Sequence, residues 1–181
     1  MKIILVRHGK HESEFDDGKL LHKGKKQAQL LAKKMKKIKI KEIYSSNLNR
    51  ARETAEILEK RLKTPLTMTA VLREWDSKII KQNRKKWKKE YKKNFSELKN
   101  FLNEISKNKN KEESVLIVAH GQLNKLIISL LMKINPIKII PFMQDNACVN
   151  ILEWNGHFKN WRLILMNDTS HLNKNLDKLK K

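Results

Sequence analysis

Short unbroken apolar runs alternate along this chain with longer stretches in which apolar residues recur every three or four positions. "KIILV" (2–6) and "SVLIVAH" (114–120) read as strands buried on both faces, and "KEIYSS" (41–46) and "LTMTAVL" (66–72) predict two more. Helical spacing places Ala28, Leu31, Ala32 and Met35 on one face of 23–38, and Ala51, Ala55, Leu58 and Leu62 on one face of 49–62. "LNKLIISLLMKI" (123–134) predicts an apolar helix after the 114–120 strand. Such alternation predicts an α/β protein: a three-layer α/β/α sandwich around a mostly parallel sheet. An antiparallel edge strand is expected near the end, where "ACVNILEW" and "HFKNWRLILM" flank Asn155-Gly156, the dipeptide favoured in a two-residue type I′ hairpin.

The segment 78–111 differs in kind. It is lysine-rich, has neither glycine nor proline, and spaces Trp87, Tyr91, Phe95, Leu98, Leu102 and Ile105 at helical steps, which predicts one long amphipathic helix. Its aromatic stripe is expected to make core contacts rather than a base-stacking platform. The stretch 106–114 reads as a loop and the polar end "NKNLDKLKK" as a fraying tail.

Composition adds bounds. At 181 residues the chain suits one domain, 1–181, with its own core. The single cysteine, Cys148, sits among apolar neighbours and reads as a small buried side chain in a reducing compartment. Too few apolar residues precede Arg7 for a leader or a span, so a soluble cytoplasmic protein with no membrane partner is expected. The net charge of +22 and pI near 10.1 raise nucleic acid as a partner. The excess is mostly lysine spread over several helices, however, with no zinc-finger spacing, RNA-binding aromatic signature or basic-leucine heptads. Solvated lysine faces are therefore the favoured reading, and anionic small molecules would be drawn in either way.

The chemistry lies at the strand ends. His8-Gly9 follows one buried strand and His120-Gly121 another, and in parallel α/β sheets ligands bind beyond the carboxyl ends of the strands. Arg7 precedes His8, and Arg50 opens a helix just past Tyr44-Ser45-Ser46. Planar guanidinium forks match phosphate oxygens, so two arginines converging with two histidines describe a phosphate pocket. Each group alone has a structural reading as a satisfied histidine, a helix-surface charge or a salt-bridge partner. Jointly that is hard to sustain, because charges following such strands are costly to bury unpaired.

In order, "VRHGKHES", "LLHKGKKQA", "YSSNLNRARETA", "LREWD" and "VAHGQLNKLI", with the closing "NDTSHL", resemble the motifs of the histidine phosphatase superfamily, also called phosphoglycerate-mutase-like, in its small phosphatase branch. The resemblance spans most of the chain. It implies His8 as nucleophile, Arg7, Arg50 and His120 as the phosphate clamp, and Glu74 as proton donor, with Gly121 in substrate binding. It also implies a helical cap insertion over about 77–111 and a phosphohistidine mechanism needing neither metal nor cofactor. This chain departs from the family pattern at His11 and Glu14, where small hydroxyl and asparagine side chains are common, and Ser13 is the candidate to substitute in substrate binding. Residues 75–120, after Leu72-Arg73-Glu74, contain no glycine, which leaves Asp76 as an alternative acid.

The activity implied is a phosphomonoesterase acting on a small phosphorylated metabolite. The alternatives are a phosphoglycerate-mutase-type phosphotransferase, against which the short chain argues, and a non-catalytic anion- or RNA-binding protein on the same fold. The six histidines form no His-Glu-x-x-His pattern and accompany no cysteine cluster, which argues against a metal hydrolase and predicts no metal site.

Overall fold

The computed structural model describes residues 1–12, 17–82, 84–86, 88–107 and 112–172. Ser13, Glu14, Trp87, the middle of the 106–114 loop and the polar tail lie outside them. Six strands, β1 (Lys2–Arg7), β2 (Ile40–Ser46), β3 (Leu66–Thr69), β4 (Ser114–Ala119), β5 (Val149–Asn155) and β6 (Asn160–Asp168), form one sheet in the order β3-β2-β4-β1-β5-β6. β3, β2, β4 and β1 run parallel, while β5 pairs antiparallel with β1 and with β6. The reversed strand is therefore β5, one in from the edge, and the edge strand β6 runs in the direction of β1.

The alternation of side chains along a strand sorts the apolar runs onto two faces. Ile3 and Leu5 of β1, with Val115, Ile117 and Ala119 of β4, face a core that includes Leu98, Leu102, Leu123, Leu126 and Ile127. Ile4 and Val6, with Leu116 and Val118, face Leu31, Ala32, Met35, Ala51, Ala55 and Leu58. The first face is covered by α4 (Lys89–Ile105) and α5 (Gly121–Met132), the second by α1 (His22–Met35) and α2 (Asn49–Leu62). All four consecutive β1 residues from Ile3 to Val6 are fully buried, which is why the run carries no polar alternation.

Three expectations change. The 66–72 strand ends at Thr69, whose hydroxyl accepts from Val71 N at 3.2 Å and starts a 3-10 turn over Ala70–Leu72. The long helix over 78–111 is broken into α3 (Ser77–Lys81), a 3-10 turn Arg84–Lys86 and α4. The sequence between Ile80 and Tyr91 is dominated by Lys and Arg, so a continuous helix there would stack like charges one turn apart with little apolar surface to bury. What survives is the packing: Tyr91 and Phe95 lie 6.0 and 6.4 Å from Trp75 between ring centroids, and Leu98 and Leu102 are buried. Finally, the hairpin at Asn155-Gly156 has a four-residue turn, 156–159, rather than a two-residue type I′ turn. Lys159, at φ 50°, takes the left-handed conformation there, and among the described residues no glycine has positive φ. The Asn155 side chain instead accepts from Phe158 N at 2.9 Å, an Asx-type closure that holds the longer loop. The short helix α6 (Pro136–Ile139) follows α5, with Asn135 capping Ile137 N at 3.0 Å.

Candidate active site

The register of the parallel strands assembles the site. Arg7 lies opposite Ala119 in the β1–β4 pair, so His8 and His120 are each one residue beyond matched strand ends, and His8 N donates to Ala119 O at 3.0 Å. Ser45 pairs with Val118, which brings Ser46, the last residue of β2, to the same rim. The His8 and His120 ring centroids are 5.2 Å apart, and His8 and His120 are 2% and 0% exposed.

His8 is oriented from both sides of its peptide. Its Nδ1 lies 2.9 Å from Gly9 O, and a carbonyl can only accept, so Nδ1 carries the proton and Nε2 holds the lone pair. The His8 carbonyl accepts from Ala147 N at 3.1 Å and Asn146 Nδ2 at 3.3 Å. Gly9 N donates to Thr54 Oγ1 at 3.1 Å, and that hydroxyl in turn donates to Arg50 O at 2.7 Å, tying the His8 loop to the first turn of α2. Gly9 serves packing: a β carbon on it would sit 2.7 Å from the Gly24 carbonyl, so the loop and α1 touch backbone to backbone. At Gly121 a β carbon would meet Arg7 Nε at 3.6 Å, ordinary contact, so steric need for glycine is weaker there.

Positive charge surrounds the two rings. Burial, the neighbouring His120 and the Arg7 and Arg50 guanidinium groups hold the His8 pKa well below its ordinary 6.5, with the Gly9 hydrogen bond opposing. Burial, then Arg50 and Arg7, push His120 down to about 3. Both imidazoles are neutral at pH 7. His120 Nε2 lies 2.9 Å from Ser46 Oγ, while its buried Nδ1 makes no hydrogen bond among the described residues. Arg7 Nη1 donates to the Gln144 carbonyl at 2.5 Å, and its buried Nε likewise makes no hydrogen bond. Arg50 lies 3.7 Å from Asp17, whose carboxylate and carbonyl also take hydrogen bonds from Asn49 at the start of α2.

Glu74 is held near Arg7 by the start of α5. Its Oε1 accepts from Trp75 N and Leu123 N, both at 3.0 Å, and its Oε2 from Gln122 N at 3.5 Å, so the carboxylate docks on the first turn of α5. The residue as a whole is exposed, but its carboxyl end is hemmed in by protein. Desolvation raises its pKa above the ordinary carboxylate value, outweighing those N–H donors and the Arg7 charge, which lower it. Asp76, the alternative acid, is used elsewhere: it caps α3 by accepting from Lys78 N at 2.7 Å.

Arg7, His8, Arg50, Glu74, His120 and Gly121 are thus brought together, and Ser13 lies outside the described residues. Ser46, Thr54, Asn146, Gln144 and Asp17 belong to the same assembly and were not singled out in the sequence. Ser46 and Thr54 carry a signal, since both fall within "YSSNLNRARETA", and Ser46 also ends a strand on that rim. His11 adds a third imidazole, with its ring edge-on to His8 at 4.8 Å. Among the described residues no three His, Cys, Asp or Glu side chains are grouped as metal ligands.

Two histidines and two arginines on the carboxyl edge of this sheet coincide with a family comparison. The profile of the histidine phosphatase superfamily, branch 1, matches residues 3–105 and 96–169. The chain belongs to this superfamily. Members of the histidine phosphatase superfamily similar to it include phosphoserine phosphatase 1 of Hydrogenobacter thermophilus, 25% identical over 206 residues that cover 95% of this chain and 94% of that one. The crystal structure of a phosphoserine phosphatase from Entamoeba histolytica, in complex with 3-phosphoglyceric acid, superposes with a TM-score of 0.72 at 22% identity, covering 94% of this chain and 98% of the other. An α-ribazole phosphatase from Shigella flexneri gives 0.72 at 20% identity, with coverage of 93% and 96%. The two structural likenesses establish the α/β fold, and family membership places this chain among the histidine phosphatase hydrolases. No helix among the described residues is long and apolar enough to cross a membrane.

Proposed function

We propose that this histidine phosphatase hydrolyses a small phosphomonoester through a phosphohistidine formed on His8 Nε2, without a metal ion. The observation that carries the reading is the Nδ1–Gly9 carbonyl contact at 2.9 Å, which leaves Nε2 as the nucleophilic nitrogen in a pocket bordered by Arg7 and Arg50. In the first step Nε2 attacks phosphorus, the ester P–O bond breaks, and the Glu74 carboxylic acid gives its proton to the leaving oxygen. In the second, water attacks the phosphorus, Glu74 as carboxylate takes up the water proton, and the P–N bond breaks to release phosphate.

The electrostatics suit both steps. Arg7 and Arg50 offset the charge spread over the phosphoryl oxygens, and neutral His120 contributes ring N–H donation at no cost in protonation. A phosphoryl dianion beside Glu74 would add to the desolvation that already favours its protonated form. Asp76 is occupied as a helix cap, which supports Glu74 as the acid.

We take the chain as one catalytic domain, with the 77–111 insertion shaping substrate choice. The described part of the insertion is anchored by Leu98 and Leu102 in the same apolar cluster as Leu5 and Ile117. The phosphoserine and phosphoglycerate named for similar proteins make small phosphorylated hydroxy and amino acids the first esters to assay.

The decisive experiment pairs hydrolysis of an aryl phosphate, with and without chelator, with an acid-quench search for an acid-labile phosphoenzyme in wild type and His8→Ala. Chelator-insensitive turnover and a phosphoenzyme lost in the variant support the mechanism. Activity abolished by chelator and restored by zinc would overturn it.

A further inference from the structure

Arg7 is held by a segment that no mechanism step uses. Its Nη1 donates to the backbone carbonyl of Gln144 at 2.5 Å, so the position of that carbonyl sets where the guanidinium plane lies. The Gln144 side chain is buried and locked in a reciprocal amide pair: Gln144 Nε2 donates to Asn150 Oδ1 at 2.8 Å, and Asn150 Nδ2 donates to Gln144 Oε1 at 2.9 Å. Asn150, fully buried on β5, uses its remaining capacity on backbone, donating to Leu5 O at 3.2 Å and accepting from Asn167 N at 2.9 Å. Asn167 repeats the device next door, accepting from Asp145 N at 2.6 Å and donating to Asp145 Oδ2 at 3.0 Å. One amide thus joins β1, two residues before Arg7, to β6 and to the 144–147 strap whose Asn146 and Ala147 hold the His8 carbonyl.

A fully buried asparagine in a strand between apolar residues is costly unless every donor and acceptor is met, and here all four positions are. Leucine would fill the same space and pack into the sheet without those demands. The cost is offset by placement of the strap. We propose that Asn150 is a positioning residue for the phosphate clamp: through Gln144 it fixes the orientation in which Arg7 presents its fork. This rests on the reading of Arg7 as a phosphate ligand.

The test is a double-mutant cycle read by calorimetric binding of inorganic phosphate. Asn150→Leu, and independently Gln144→Met, should weaken phosphate binding about tenfold in wild type, since small misplacements of a clamp are expensive. In an Arg7→Lys background, where no fork remains to be aimed, either change should have little further effect, whereas in an Arg50→Lys background the tenfold loss should persist. Equal losses in all three backgrounds would overturn the proposal, because a merely structural role acts regardless of Arg7. A readout that needs no ligand accompanies it: by NMR, rotation about the Arg7 Cζ–Nη1 bond should be slow in wild type and fast in Gln144→Met or Asn150→Leu. Unchanged rotation in a folded variant would also overturn it. Should wild type neither bind phosphate nor turn over any ester, the phosphatase reading falls while the NMR result still decides the positioning.

Discussion

The Glu74 carboxylate accepts a hydrogen bond from Leu123 N at 3.0 Å, which fastens it to the helix that begins directly after His120. Glu74 and His120 therefore meet at the start of one helix, Glu74 through this hydrogen bond and His120 as the residue directly before it. Any shift of α5 moves both together. Glu74→Gln preserves an acceptor for Leu123 N but removes the acidic proton, so turnover of alkyl phosphates should fall roughly 10²–10⁴-fold. With 4-nitrophenyl phosphate, whose leaving oxygen needs no proton, the first step, read as the rate of phosphoenzyme formation, should fall far less. Equal slowing of phosphoenzyme formation on both esters would show that Glu74 acts only as a cap.

Asp76→Ala should separate the two acids. It deletes the α3 cap on Lys78 N and should cost about 1 kcal/mol of stability or less, given how short the helix is. Turnover should stay close to wild type. A collapse of kcat in a variant that melts normally would transfer the acid role to Asp76.

His8→Ala should abolish phosphoenzyme formation and lower turnover by roughly 10⁴-fold or more, as loss of a nucleophile does. Radiolabelled substrate with acid quench measures both. A labelled enzyme in the variant would place the nucleophile elsewhere.

Stability should fall on the acid side. His8 and His120 protonate near 6.5 in the unfolded chain, but in the fold both are depressed, His120 to about 3. As pH drops below 6.5 the unfolded chain takes up protons that the native state refuses, so their stabilisation is complete above that pH and drains away toward about 3. Urea denaturation at pH 7, 5.5 and 4.5 should show a steady decrease, shallower in His120→Gln. A midpoint independent of pH over this window would contradict the buried neutral rings.

Gly24→Ala probes the contact between α1 and the His8 loop. A β carbon there would run into the Lys10 carbonyl, so backbone must shift, at about 1–3 kcal/mol in thermal melts. Activity should fall with it, because Lys10 follows Gly9 in the same loop. A neutral effect on both would mean the loop yields without strain.

Patterning in the sequence was enough for the layers, because the unbroken apolar runs of β1 and β4 can be buried only between two helical faces, and helical spacing marks those faces in α1, α2 and α5. It also marked Arg7, His8, Arg50 and His120, since a strand end followed by a charged group is a local signal. Three-dimensional packing decided the rest. The break in the 78–111 helix depends on whether a lysine-dense stretch finds anything to cover, and the direction of β5 depends on which strand it meets. The docking of the Glu74 carboxylate turns on the N–H groups of Leu123 and Gln122, some fifty residues away. The amide pair of Gln144 and Asn150 is equally invisible in a string of letters, because a polar side chain declares its partner only once the fold has taken water away.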